Sequence, residues 1–148
     1  MSALTENERR QLIEELHRAR HGFGLAASFD AEARELSRTC GDEITVRLAL
    51  ADGVVTAFSW EGHGCTVSMA SASALAELAP GMPVAGVVAL AEAFFASLAP
   101  DGGAHVGTPV DPPGVSLGAS EAFAGIGRYP LRAGCASLAW RAALAAIG

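Results

Sequence analysis

Three cysteines and their neighbours hold the residue types in this chain best suited to chemistry: Cys40 in Cys40-Gly41-Asp42, Cys65 in Gly62-His63-Gly64-Cys65, and Cys135. The thiolate is the form that attacks and that binds metal, and a free cysteine with a pKa of about 8.5 is mostly protonated at neutral pH. A bound dication keeps such a thiol deprotonated. Gly41 permits a tight turn, so the side chains of Cys40 and Asp42 can both face one ion. Three thiolates and one carboxylate would make a four-coordinate site suited to zinc, with Zn–S distances of about 2.3 Å. Four anionic ligands around a dication leave a net charge of about −2, so one thiolate is electron-rich and able to leave the metal. The ligands are 25 and 70 positions apart rather than in a Cys-x-x-Cys pair. Spacing therefore leaves open both a shared metal site and separate, buried, inert thiols.

The elements that would bring these residues together can be read from periodicity. Glu43 to Ala51 alternates, with Ile44, Val46, Leu48 and Leu50 on one side and Thr45, Arg47 and Ala49 on the other, a strand pattern. Asp52-Gly53 is a hairpin signal, and Val54 to Trp60 reads as the returning strand. A hairpin closed at that turn carries residues 40–42 and 62–65 to its opposite end. Cys135 falls in the first turns of a last helix, about Leu131 to Ala146, and could complete the set from the other side. Thr5-Glu6-Asn7-Glu8 is a capping box opening a helix to about Ala19, with Leu12, Ile13 and Leu16 on one face. Residues 20–39 read as irregular. Thr66 is a candidate cap for a helix that Pro80-Gly81 ends, and Pro83 suits the first turn of Val84–Leu98. Residues 100–116 read as a glycine- and proline-rich loop, and Leu117–Ile126 as a short helix. With no internal repeat and no long linker, residues 1–148 form a single domain. Its class is α+β, a small antiparallel sheet of two to three strands packed against four to five helices.

Composition narrows the function classes. Apolar residues make up 51% and charged residues 18% of the 148, which excludes a disordered, solvating chain. The net charge is −6 and all ten basic residues are arginine, so there is no basic stripe for nucleic acid and no lysine for Schiff-base or phosphate-loop chemistry. The most apolar stretch, Val84 to Ala99, carries Glu92 and falls short of the roughly 18 residues a membrane span needs. No secretory signal is visible at the N-terminus, and the expectation is a soluble, cytoplasmic protein with reduced thiols. Gly22-Phe23-Gly24-Leu25-Ala26-Ala27 has the form of a dinucleotide fingerprint but lacks the strand before and the helix after it. Ser68, Ser71 and Ser73 have helical spacing and read as small polar residues on a packed face. Asp101, His105 and Asp111 read as solvated loop residues, and His63 as a glycine-flanked solvent histidine, with ligation as its alternative.

Cys40-Gly41-Asp42 begins a longer correspondence. It continues through Glu61-Gly62-His63-Gly64-Cys65-Thr66-Val67-Ser68-Met69-Ala70-Ser71-Ala72-Ser73 to Tyr129-Pro130-Leu131-Arg132-Ala133-Gly134-Cys135-Ala136-Ser137-Leu138-Ala139-Trp140. Together these runs resemble the three blocks of the SufU-type branch of the NifU/IscU family, from about residue 38 to the end. The resemblance implies a zinc-dependent sulfurtransferase serving iron–sulfur cluster assembly, with zinc on Cys40, Asp42, Cys65 and Cys135. It implies a SufS-type cysteine desulfurase as the donor partner, SUF scaffold proteins downstream, and Cys40 as the thiol that takes the sulfur. Arg132, three residues before Cys135, could steady negative charge near the site. The alternative within the same family is a non-enzymatic scaffold on which a transient iron–sulfur cluster is assembled by the same thiolates. A third reading is a structural zinc fold acting as a binding module. Gly134 stands where IscU-type scaffolds have histidine and SufU proteins often lysine, and the Leu-Pro-Pro chaperone-binding signature is absent. Both departures favour sulfur transfer over chaperone-assisted cluster building.

Overall fold

In the computed structural model, which describes residues 5–37, 41–99 and 117–148, the chain opens with helix α1 (Glu6–Ala19). The Thr5 hydroxyl accepts the Glu8 N–H at 3.1 Å and the Thr5 N–H donates to Glu8 Oε1 at 2.8 Å, the expected capping box. Strands β1 (Ala31–Leu36), β2 (Glu43–Ala51) and β3 (Val54–His63) form one antiparallel sheet in the order β1-β2-β3. The β2–β3 hairpin turns at Asp52-Gly53, both with positive φ (+53° and +75°), the primed geometry whose twist matches its strands. Ile44, Val46 and Leu48 are buried, as their alternation requires.

Strand β1 corrects the reading of residues 20–39 as irregular. Its inward positions are Ala31, Ala33 and Glu35, too small or too polar to give an apolar alternation, and its outward ones include Glu32 and Arg34. The pairing is fixed instead by β2, with Glu32 opposite Arg47 at 2.7 Å and Arg34 bonded to Glu43. Charge on an edge strand also discourages further strand addition.

Helices α2 (Thr66–Leu78) and α3 (Val84–Ser97) follow, then short 3₁₀ turns at Gly118–Phe123 and Ile126–Arg128 in place of the expected short helix, then α4 (Pro130–Ile147). Two boundaries move slightly: the N-cap of α2 is Cys65 rather than Thr66, and Pro83 caps α3 from just outside. Pro130 opens α4, where its missing N–H costs no helical bond. The run Ser68 to Ala76 in α2 is buried without interruption, so α2 is the central helix, packed on α1 and α4, while α4 lies across β1 and β2. Alanines and serines on these faces let the helices approach closely. The aromatic centre is Phe94 stacked on Trp140, with ring centroids 4.0 Å apart, and Trp140 Nε1 donates to Ser71 Oγ at 2.9 Å. Among the described residues no helix is long and apolar enough to cross a membrane.

Candidate metal centre

Ladder pairing of Glu43 with His63 and of Ile44 with Gly62 closes the open end of the hairpin, and Asp42 and Gly64-Cys65 flank that end. Asp42 is held by the turn before β2, where the Gly41 N–H donates to the Ser37 carbonyl and the Ser37 N–H to the Asp42 carbonyl, each at 2.8 Å. Gly41 has a φ of +73°, the left-handed conformation that glycine adopts without steric cost. Gly64 is a glycine for a different reason: a Cβ there would lie 2.6 Å from Asp42 Cγ. The missing side chain is the space the carboxylate occupies.

Cys65 caps α2 at the N-terminal end of that helix. Cys135 arrives from α4, in its second turn. The Cys65 and Cys135 sulfurs and one Asp42 carboxylate oxygen all lie within 4.8 Å of one another. Asp42 and Cys135 are buried (4% and 3% exposed), whereas Cys65 is exposed, so the cluster is sheltered on one side and open on the other. Asp42 Oδ2 accepts the Ser68 hydroxyl at 2.5 Å and the Cys65 N–H at 3.4 Å. Burial alone would push the Asp42 carboxyl up. Hydrogen bonds from Ser68, from the Cys135 thiol and from the Cys65 N–H and thiol outweigh it and hold the group below the ordinary carboxylate range.

This donor set fits zinc. Thiolates and carboxylates are among the ligands that tetrahedral zinc takes. A fourth ligand is needed, and Cys40, the residue expected to supply it, lies outside the described residues. So do Asp101, His105 and Asp111. His63 is not one of the converging donors; it is exposed, opposite Glu43 on β3.

A cleft of about 620 Å³ leads from Cys65 and Cys135 between α1 and the start of α4, with Arg9, Arg10, Arg128 and Arg132 in its lining. Arg132 is thus near the thiols, one turn before Cys135, with its guanidinium 5.3 Å from the Tyr129 ring centroid. Two contributors escape sequence reasoning. Ser68, read as a packing residue, is the buried donor to Asp42; its signal is its place three residues after the capping Cys65. Arg9 is brought in only by the docking of α1, where its Nη1 donates to the Ala124 carbonyl at 3.0 Å. The other two serines are structural: Ser71 bonds the Ala136 carbonyl, and Ser73 accepts the His21 N–H. Gly22-Phe23-Gly24 bonds along Trp60 and is part of the sheet's margin, not a nucleotide loop.

A family model described as the NifU-like N terminal domain matches residues 8–136. The zinc-dependent sulfurtransferase SufU of Bacillus subtilis (strain 168) is 32% identical over 104 residues, 70% of this chain; the match spans 65% of that protein, just under two-thirds. The iron-sulfur cluster assembly scaffold protein IscU of Streptococcus pyogenes serotype M1 is 32% identical over 117 residues, 78% of this chain and 69% of that one. Among solved structures, the N-terminal part of a nitrogen-fixing NifU-like protein from Brucella abortus superposes with a TM-score of 0.79 at 26% identity, covering 97% of this chain and 95% of the other.

Proposed function

The chain belongs to the NifU-like N-terminal domain family, and from that premise we propose that it is a zinc-dependent sulfurtransferase, accepting persulfide sulfur from a cysteine desulfurase for iron–sulfur cluster assembly. The observation that carries this reading is the convergence of Asp42, Cys65 and Cys135, sheltered behind and open in front. Zinc would be held by these three with Cys40, and when bound it would keep the thiols deprotonated at neutral pH. The relative from Bacillus subtilis, named a zinc-dependent sulfurtransferase, supports zinc over iron as the resident metal.

In the proposed transfer the Cys40 thiolate attacks the outer sulfur of the donor's persulfide. One S–S bond forms at Cys40, the donor's S–S bond breaks, and the donor cysteine leaves as a thiolate, so no external oxidant or reductant is needed. Arg132 at the mouth of the site offsets the negative charge carried by the incoming persulfide. Ser68 keeps Asp42 ionised and oriented while charge shifts around it. Transfer onward to scaffold proteins of the same assembly system completes the role, in the reducing cytoplasm where free thiols persist.

Desulfurase turnover, measured alone and with the zinc-loaded protein, tests this. A saturable acceleration that is lost in Cys40→Ala is the expected result. An unchanged rate in that variant overturns the acceptor assignment. Absence of acceleration by folded, zinc-loaded protein overturns the sulfurtransferase reading and turns the choice to the second one, a scaffold for a transient cluster. The similarity to the Streptococcus IscU scaffold favours that alternative, and retention of iron and sulfide after anaerobic reconstitution would identify it.

A further inference from the structure

We propose that the cleft beside Cys65 and Cys135 is a docking groove for an extended acidic segment of the sulfur-delivering partner. The proposal rests on the sulfurtransferase reading above and names the surface and partner chemistry it requires. Four of the ten arginines line this cleft, Arg9, Arg10, Arg128 and Arg132, against two of the sixteen carboxylates, Glu6 and Glu14. On a chain of net charge −6 this is a local excess of positive charge. Among the described residues the ion pairs are His21–Glu77, Arg34–Glu43 and Arg47–Glu32, and none uses an arginine of the cleft.

Arg9 is held in the wall of the cleft by the body of the protein. Its Nη1 is fixed on the Ala124 carbonyl, while its Nε is shielded from solvent and has no hydrogen-bond partner among the described residues. With Nη1 taken and Nε shielded, the part of the Arg9 guanidinium that faces the cleft is left to an incoming acceptor, and a carboxylate suits it best. The rim explains why the carboxylate belongs to a polypeptide. Tyr129 and Leu131 are large apolar side chains, 49% and 58% exposed, and Arg132 lies over the Tyr129 ring. Aromatic and arginine anchors beside an open, partly apolar trough are the residue types that carry protein interfaces, and they are more than a free anion uses. A segment lying here with its carboxylates on the arginines and an apolar side chain against Leu131 ends at the exposed Cys65. Cys65 marks the open edge of the donor cluster, the side from which a persulfide would reach the centre.

The test measures the affinity of zinc-loaded protein for the desulfurase directly, alongside turnover. The double variant Arg10→Glu/Arg128→Glu alters two exposed side chains and leaves the buried core alone. It is expected to raise both the Kd and the half-saturating concentration about tenfold, with zinc content and the rate at saturation unchanged. Leu131→Asp is expected to act in the same direction. Raising salt from about 50 to about 300 mM is expected to weaken the wild type much more than the double variant. Unchanged affinity in both variants, with turnover still stimulated, overturns the docking proposal while leaving the sulfurtransferase reading intact, whereas failure of the wild type to bind the desulfurase overturns both. Charge-dependent binding without stimulated turnover supports the groove and overturns the sulfurtransferase reading instead. Citrate binding that Arg10→Glu/Arg128→Glu abolishes, with partner affinity unmoved, overturns docking in favour of a small-anion site.

Discussion

Asp42 shows how one buried carboxylate can depend on its neighbours. It is nearly inaccessible, yet the Ser68 hydroxyl, the two thiols and the Cys65 N–H keep it ionised. Removing the Ser68 hydroxyl leaves a buried charge short of a donor, a loss of about 1.5–3 kcal/mol. Ser68→Ala is therefore expected to lower the urea-unfolding free energy of the metal-free protein by about 2 kcal/mol. It is also expected to weaken zinc binding about 10- to 100-fold in a competition titration, because it disorients a ligand. The sign of the pH dependence follows from the lowered pKa. The stability that ionised Asp42 contributes is fully present above the ordinary carboxylate pKa and is lost as pH falls through its lower native value. Thermal midpoints of chelated protein between about pH 6 and pH 3 are expected to fall more steeply for the wild type than for Asp42→Asn, and parallel slopes would contradict the assignment. The approach of Asp42 to Cys65 was readable in the sequence because a hairpin with a recognisable turn must bring the residues flanking its open end together. Ser68 was not, since a serine among alanines has the same local pattern whether it packs or donates.

Several elements were readable to within a residue or two: α1 through its capping box, β2 through its alternation, and α4, expected over about Leu131 to Ala146 and found at Pro130–Ile147. Strand β1 was not, because Ala-Glu-Ala-Arg-Glu-Leu is made of helix-favouring residues and acquires its extended form only from pairing with β2. The same dependence on partners governs where Cys135 sits. Helix α4 is positioned by Trp140, whose ring stacks on Phe94 of α3 and whose Nε1–H is taken by Ser71 of α2. Phe94→Ala would leave a cavity against that ring and is expected to cost about 3–5 kcal/mol in urea unfolding. The zinc affinity of the fraction still folded is expected to fall as well, since α4 carries Cys135 while Asp42 and Cys65 come from the hairpin end. A large stability loss with unchanged zinc affinity would show that α4 holds its place without this stack.

At the scale of the molecule, the candidate metal centre lies at the margin of the hydrophobic core. The core runs from Ile44, Val46 and Leu48 through α2 to Phe94 and Trp140, whereas the three donors gather at the open end of the hairpin, where Cys65 meets solvent. A structural zinc module supplies its folding energy through the metal, and chelators unfold it. Here a chain of 148 residues with fully buried Trp60, Trp140, Phe94 and Phe123 has a core of its own to fold on. Metal binding then adds stability only by mass action, about 4 kcal/mol when free zinc exceeds its Kd a thousandfold. Chelation is accordingly expected to lower the thermal midpoint by on the order of 10 °C and to leave the far-UV circular dichroism native at 25 °C. Cys65→Ser, which disrupts the site at its exposed edge, is expected to resemble the chelated wild type in both measurements. Unfolding at 25 °C on chelation would make zinc the organiser of the fold and favour the structural-module reading. A folded, metal-free chain that regains desulfurase stimulation when zinc is restored would assign the metal to chemistry.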